Sequence, residues 1–326
     1  MAILKIGEFM KKICLLLIVL FFPIFVFAYS KVIPGGETIG IEVKSDGVLV
    51  VGFYSIDGLE IGKKAGFLLG DKIIKVGDSE VTDLNTMMDS IQLCDSICKI
   101  KVIRNNKNVS IDLPLTYEDG RIKTGLFVKD EIHGLGTLSF ITEDNKFGCL
   151  GHEIVESNTL ERFPVSYGEI YKGEVVHIIK SRDGSAGEKN AVYDKEDIEG
   201  TISINDNTGV YGSYNGEINE SDFIDIGSID EIKEGDALIR TGIDGSNVEE
   251  FSIKILNINK KDETKNILFE ITDDRLLEIT GGVVQGMSGS PIIQNNKMIG
   301  VVNYVLVNDP KKGYGIFLTK MLEKIE

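Results

Sequence analysis

Ser288 is the residue of this chain best placed to do chemistry. It lies in the turn Gly286-Met287-Ser288-Gly289-Ser290-Pro291, followed by short apolar runs, Ile292-Ile293 and Ile299-Gly300-Val301-Val302, joined through Asn295-Asn296. That pattern predicts a buried β-hairpin with the serine at its entrance, a rigid platform for a nucleophile. A serine hydroxyl attacking a carbonyl needs a base, and the oxyanion that forms needs donors. Gly286 lets the backbone turn so that its own N–H and that of Ser288 converge on one point, and Gly289 leaves room for a substrate. The same letters also describe a plain Gly/Ser turn between buried strands; the apolar runs that follow favour the chemical reading.

The base must be one of three histidines, His133, His152 or His177. His152 follows Phe147-Gly148-Cys149-Leu150-Gly151, a strand ending in glycine, and precedes Ser288 by enough chain to complete the elements between them. His177 lies inside the apolar run Val175–Ile179 and reads as a strand residue. His133, before Gly134-Leu135-Gly136, is the next candidate. No Cys/His ligand spacing appears, and His152-Glu153-Ile154-Val155-Glu156 has glutamate where the zinc motif H-E-x-x-H needs its second histidine. Neither a metal nor a cofactor is expected.

These residues need elements to hold them. The chain has 326 residues, 42% of them apolar, room for about two domains, each with its own core. Its formal charge of −16 argues against nucleic acid as a partner. Residues 1–29, with Lys11-Lys12 before the apolar run Ile13–Ala28, read as an export signal or a membrane anchor. Cys94, Cys98 and Cys149 remain beyond it, an odd number that argues against obligatory pairing, although Cys94 and Cys98 are close enough to bridge.

Residues 32–117 read as a small α+β domain. Gly47–Phe53 and Lys99–Ile103 have strand patterns, and Thr82-Asp83 caps a helix with Leu84, Met87, Met88 and Ile91 on one face. From residue 118 to 326 short strands alternate with Gly, Asn and Asp, with scarcely a long helix before Leu318. The expectation is a mainly β chain, its second part a closed double barrel with the catalytic groups in the cleft between the barrels.

Gly58–Asp78, with Ala65-Gly66 and Gly70-Asp71-Lys72-Ile73, resembles the core of bacterial PDZ domains. By that resemblance Ile39, Gly40 and Ile41 match the loop that binds a peptide carboxylate, and a peptide tail adds as a strand beside Gly40–Val43. The leader, this domain, Gly134–Phe140, Phe147–His152, Ile271–Asp273, Gln285–Pro291 and Asn308–Gly315 together resemble the SpoIVB peptidases of endospore-forming bacteria, whose protease domain is of the chymotrypsin-like type. The resemblance implies Ser288 as nucleophile, His152 as base, Asp273 as the third member, and Gly286 and Ser288 as oxyanion donors. The chain departs from the family in having Asp274 where proline is expected. Asp194, Asp206 and Asp274, or a dyad with no aspartate, stay open. Gly282, six residues before the serine, marks the primary pocket of such a fold; with no acid there, no trypsin-like preference is expected.

The resemblance further implies secretion into the space between the forespore membranes. It implies cleavage of the extracytoplasmic domain of a membrane regulator that leads to sigma-K activation, and self-cleavage near the N-terminus. The alternatives are a catalytically inactive PDZ-based binding protein and an HtrA-like envelope protease, although that family places its PDZ domains after the protease. A structural coat or cortex protein fits least, since nothing is repetitive or cysteine-rich.

Overall fold

The computed structural model describes residues 29–118 and 120–326; the leader expected at the N-terminus lies, up to residue 28, outside the described residues. The chain enters by β1 (Lys31–Pro34) and β2 (Thr38–Phe53), a strand of 16 residues. An α+β unit follows: α1 (Ile61–Ala65), β3 (Lys72–Val76), β4 (Ser79–Glu80), α2 (Leu84–Gln92), β5 (Ile97–Arg104), β6 (Lys107–Pro114) and the small hairpin β7 (Thr116–Glu118) and β8 (Arg121–Lys123). The chain returns on β9 (Leu126–Ile141), antiparallel to β2 along most of its length. β10 (Lys146–Cys149), β11 (Tyr167–Ile179), β12 (Gly187–Asp206) and β13 (Gly209–Tyr214) complete the first half. After β14 (Ile224–Ile226) come β15 (Gly235–Asp244), β16 (Asn247–Ile258), β17 (Ile267–Ile271), α3 (Asp274–Thr280), β18 (Val284–Gln285), β19 (Pro291–Gln294), β20 (Lys297–Val305), β21 (Lys312–Phe317) and α4 (Leu318–Leu322).

Pairings close two antiparallel rings. The first runs β2, β9, β10, β13, β12, β11 and back to β2. The second runs β15, β16, β17, β21, β20, β19 and back to β15. Side chains follow the two-residue period of a strand: in β16, Phe251, Ile253 and Ile255 point into the second core while Ser252 and Lys254 face out. The first core gathers Ile39, Ile41, Val43, Phe147, Phe163 and Ile170. The protein is mainly β, as the strand patterning requires.

The α+β unit has its own core, with Val50, Phe67, Ile73, Met87, Ile100 and Val102 in it. Asp83 caps α2 through a reciprocal capping box with Thr86, as the sequence predicts. Met87 and Ile91 are buried, whereas Met88 is exposed. Asp71 of the Gly-Asp pair is buried and held by Arg104 through two bonds of 2.7 and 2.6 Å, so that motif builds the unit and has no free carboxylate. Cys94 and Cys98 form a disulfide joining the end of α2 to β5, which revises the expectation from the odd cysteine count; Cys149 is free and buried.

The expected domain edges at 32 and 117 do not match the packing. β2 serves two cores at once: its first half lies in the first ring, and in its second half Val48 and Val50 face the α+β core while Leu49 and Val51 face the ring. Leu126, beyond the expected edge, packs into the α+β core. The unit is thus an insertion between two long strands of the first ring, and residues 30–325 cluster as one compact body.

Candidate active site

The serine turn is built from the dihedral needs of its glycines and from long-range hydrogen bonds. β18 pairs in parallel with Gly187 and Glu188 of β12, and the chain then turns through Gly286 at φ +92° and Gly289 at φ +104° into the β19–β20 hairpin, whose tip residues Asn295 and Asn296 both have positive φ. A Cβ on Gly289 would stand 2.0 Å from the Thr137 carbonyl oxygen, so glycine is required there twice over. Thr137, fully buried on β9, braces the turn: its amide donates to the Ser288 carbonyl at 3.1 Å and its hydroxyl to the Gly286 carbonyl at 2.7 Å. Gly289 N donates to Val302 O at 2.8 Å and Met287 N to Val284 O at 3.1 Å. Among the described residues no loop carbonyl accepts from the Gly286 or Ser288 amide, the two groups expected from sequence as oxyanion donors.

His152 follows two left-handed residues, Leu150 and Gly151, which swing the chain off the end of β10. Its Nδ1 lies 2.9 Å from the Glu153 carbonyl oxygen. A carbonyl only accepts, so Nδ1 carries the proton and Nε2 is left with the lone pair of a base. The imidazole stacks on Tyr304 with ring centroids 5.9 Å apart. Burial pushes its pKa below the ordinary histidine value, opposed by the Glu153 carbonyl and charge, which keeps the ring neutral and able to accept a proton.

The loop carrying His152 is clamped along its length. Asn205 accepts from Ile154 N at 2.8 Å and donates to Ile154 O and to Phe163 O, both at 2.9 Å. Arg162 pairs with Glu153. The buried Glu156 carboxylate takes Lys129 Nζ at 3.0 Å together with the Asn158 and Thr159 amides, which hold its pKa below the usual carboxylate range against the cost of burial.

Ser288 and His152 line one cleft of about 550 Å³, together with Gly286, Gln285 and Tyr304. They meet across Asn303-Tyr304 on β20: Ser288 Oγ donates to the Asn303 carbonyl at 3.3 Å, while Gly151 sits against the Asn303 side chain. The nucleophile and base chosen from sequence are therefore brought together, on opposite rings.

Asp273 is not brought there. Its carboxylate is the N-cap of α3, accepting from Leu276 N at 2.9 Å and facing Ser252 N at 3.5 Å, and it does not line the cleft. The orienting acceptor of His152 is a backbone carbonyl. Asp274 lies in the first turn of α3, Asp194 accepts from the Glu196 amide, and Asp206 holds Lys324 and Thr208. Ile39, Gly40 and Ile41 also need correction as a peptide edge: they pair on one side with Gly136, Leu135 and Gly134 of β9 and on the other with Lys172, Tyr171 and Ile170 of β11, so no edge is open. Gly282 packs against the Pro310 carbonyl and is no part of the cleft.

His177 lies in β11 opposite Asn190. His133 lies between Glu42 and Glu131, whose ligand atoms come within 4.8 Å of one another, a grouping that sequence spacing does not show; Lys44 and Lys195 already neutralise Glu42. Sequence reasoning also missed Thr137, Asn205 and Tyr304. Of these, Thr137 sat in the stretch Gly134–Phe140 and Tyr304 at the end of the serine hairpin, both already singled out, but neither was given a role.

An imidazole and a serine hydroxyl in one cleft, beside a glycine turn, are the apparatus of a serine peptidase. The model of the SpoIVB peptidase S55 family matches residues 120–322, and the chain belongs to that family. The match begins after β2 and most of the α+β unit. No curated protein sequence matches significantly. Among solved structures, the active form of the Rv3671c protease from M. tuberculosis is similar at 13% identity and a TM-score of 0.32, over 60% of this chain and 73% of that one. A structure described as GrC is similar at 12% identity and a TM-score of 0.31, over 60% and 86%.

Proposed function

We propose that the protein is a chymotrypsin-like serine endopeptidase in which the two closed rings are the two barrels, acting through a Ser288–His152 pair. The observation that carries this reading is the meeting of Ser288, His152 and the Gly286 turn in one cleft, the serine from the second ring and the histidine from the first. In the reaction the Ser288 hydroxyl leaves the Asn303 carbonyl, attacks the peptide carbonyl and gives its proton to His152 Nε2. The oxyanion is held by the amides of Gly286 and Ser288. His152 then protonates the leaving amine, and water, activated by the same ring, hydrolyses the acyl-enzyme. The Glu153 carbonyl keeps the ring in the required tautomer, the part an aspartate plays in a full triad.

The substrate is a protein, proposed to be the extracytoplasmic domain of a membrane regulator cut during sporulation on the route to sigma-K activation, with the enzyme also trimming its own N-terminus. The charged start and apolar run of the leader support a place outside the cytoplasm, in the forespore intermembrane space. The α+β unit is proposed as a PDZ domain for peptide tails. Since Ile39–Ile41 are paired on both sides, the strand that receives such a tail is the start of β9: there, among the described residues, Leu126, Phe127, Val128, Lys129, Glu131 and Ile132 pair with β2 alone, and Asp130 accepts from the Leu84 amide of α2.

The test is incubation of purified wild-type protein beside Ser288→Ala and His152→Ala, following N-terminal trimming and labelling by a fluorophosphonate. Labelling and trimming by wild type alone are expected. Trimming or labelling that persists in Ser288→Ala would remove the peptidase reading.

A further inference from the structure

One wall of the catalytic cleft is aliphatic. Ile41 of β2, Ile132 and Leu135 of β9, and Leu150, Ile154 and Val155 around His152 face it. The carboxylate in that lining, Glu153, is already tied to Arg162. A neighbouring space of about 380 Å³ shares Leu135, Gln285 and Gly286 with the cleft and has a mixed lining, His133 and Glu188 beside Ala191 and Tyr193. A substrate side chain seated beside Ser288 thus meets the aliphatic residues of the cleft.

We propose that the aliphatic wall is a specificity subsite that takes a Leu, Ile or Val side chain flanking the scissile bond. This rests on the peptidase reading of Ser288 and His152 and names the substrate class for it. A branched aliphatic side chain buries its surface against the wall, whereas a charged one loses its hydration there, with the Glu153 carboxylate already paired to Arg162. The wall is rigid: Ile41 and Leu150 are buried, and a Cβ on Gly136 would come within 2.3 Å of Leu150, so the glycine admits that side chain. The mouth is open. Gly134, paired with Ile41 in the β2–β9 ladder, lines the cleft, and a Cβ there would meet nothing within 4 Å. Its φ is not positive, so any residue fits the backbone at Gly134.

Gly134→Val therefore fills the mouth of the subsite without straining the strand, and Val155→Lys places a cation at its exposed rim. The experiment measures kcat/KM for full-length enzyme on a peptide set varied at the two residues flanking the cut, with the rate of fluorophosphonate labelling alongside. At one flanking position, Leu or Ile is expected to exceed Asp or Lys by about 10- to 100-fold, the worth of burying one aliphatic side chain. Gly134→Val should lower kcat/KM for the aliphatic peptides by about 10-fold or more relative to peptides with Ala at that position, in a variant whose thermal melt matches wild type. Val155→Lys should narrow the gap between aliphatic and acidic peptides. A wild type that labels but shows a flat profile, or prefers charged residues at both positions, overturns the subsite alone, as does Gly134→Val with unchanged peptide turnover. A wild type that does not label overturns the subsite together with the peptidase reading.

Discussion

Thr137→Val removes one hydroxyl at nearly constant shape, and that hydroxyl is the donor to the Gly286 carbonyl at 2.7 Å. Thr137 is fully buried, so water does not replace the bond, and an unpaired buried carbonyl costs about 1–3 kcal/mol. The carbonyl belongs to Gly286, whose amide is proposed as the first oxyanion donor. If that cost falls on holding the turn in its productive geometry, kcat drops by about 5- to 150-fold. This is less than the loss of about 10²–10³ expected when a donor is removed outright. KM should move little, because Thr137 does not line the cleft and its amide bond to Ser288 O survives the change. The assay is steady-state hydrolysis of a peptide substrate at saturating and limiting concentrations, with a thermal melt to show that the variant is folded. Thr137→Ser keeps the hydroxyl and should recover most of the turnover. A folded Thr137→Val enzyme with kcat within twofold of wild type would refute the brace.

Three further outcomes follow from the geometry. Asp273→Ala should lose about 1 kcal/mol of stability as a missing helix cap, whereas Asp273→Asn, which caps equally well, should keep both its melting temperature and its kcat; an equal fall of kcat in both variants without a change in melting would instead make Asp273 an orienting group. Because burial lowers the pKa of His152, the acid limb of kcat/KM should have its midpoint below the ordinary 6.5 and the rate should be flat above it, and a limb at or above 6.5 would contradict the buried, carbonyl-held ring. The fully buried Lys189, whose Nζ donates to Thr241 Oγ1 at 2.8 Å, has its pKa pushed down by burial to about 7. A depressed pKa takes stability away as pH falls from 10.5 toward 7, so Lys189→Met should be more stable than wild type at pH 7 and the advantage should shrink as pH rises to 10, read from paired urea melts.

What the sequence carried was whatever depends on neighbours along the chain. The Ser288 turn was legible because glycine dihedrals, the Asn295-Asn296 tip and the alternation of β19 and β20 are all local. The Asp83 cap and the inward faces of α2 and β5 were legible for the same reason. The cap at Asp273 was written there too, an aspartate just before a short apolar helix, but the resemblance to a catalytic triad drew the reading elsewhere. His152 was found because three histidines left few choices.

Tertiary structure decided the rest. Ile39-Gly40-Ile41 looks like a free peptide edge until β9 and β11 fill both its sides, since hydrogen bonds between strands leave no periodic trace of which partner they choose. β2 hides two cores in one strand because successive side chains face opposite ways. The residues that brace the site act over long separations: 149 positions from Thr137 to Gly286 and 51 from Asn205 to Ile154. Local sequence chooses the turn and the residue types that can do the chemistry. Only closure of the two rings brings Ser288 and His152 to one cleft, because that distance is set by packing and not by spacing along the chain.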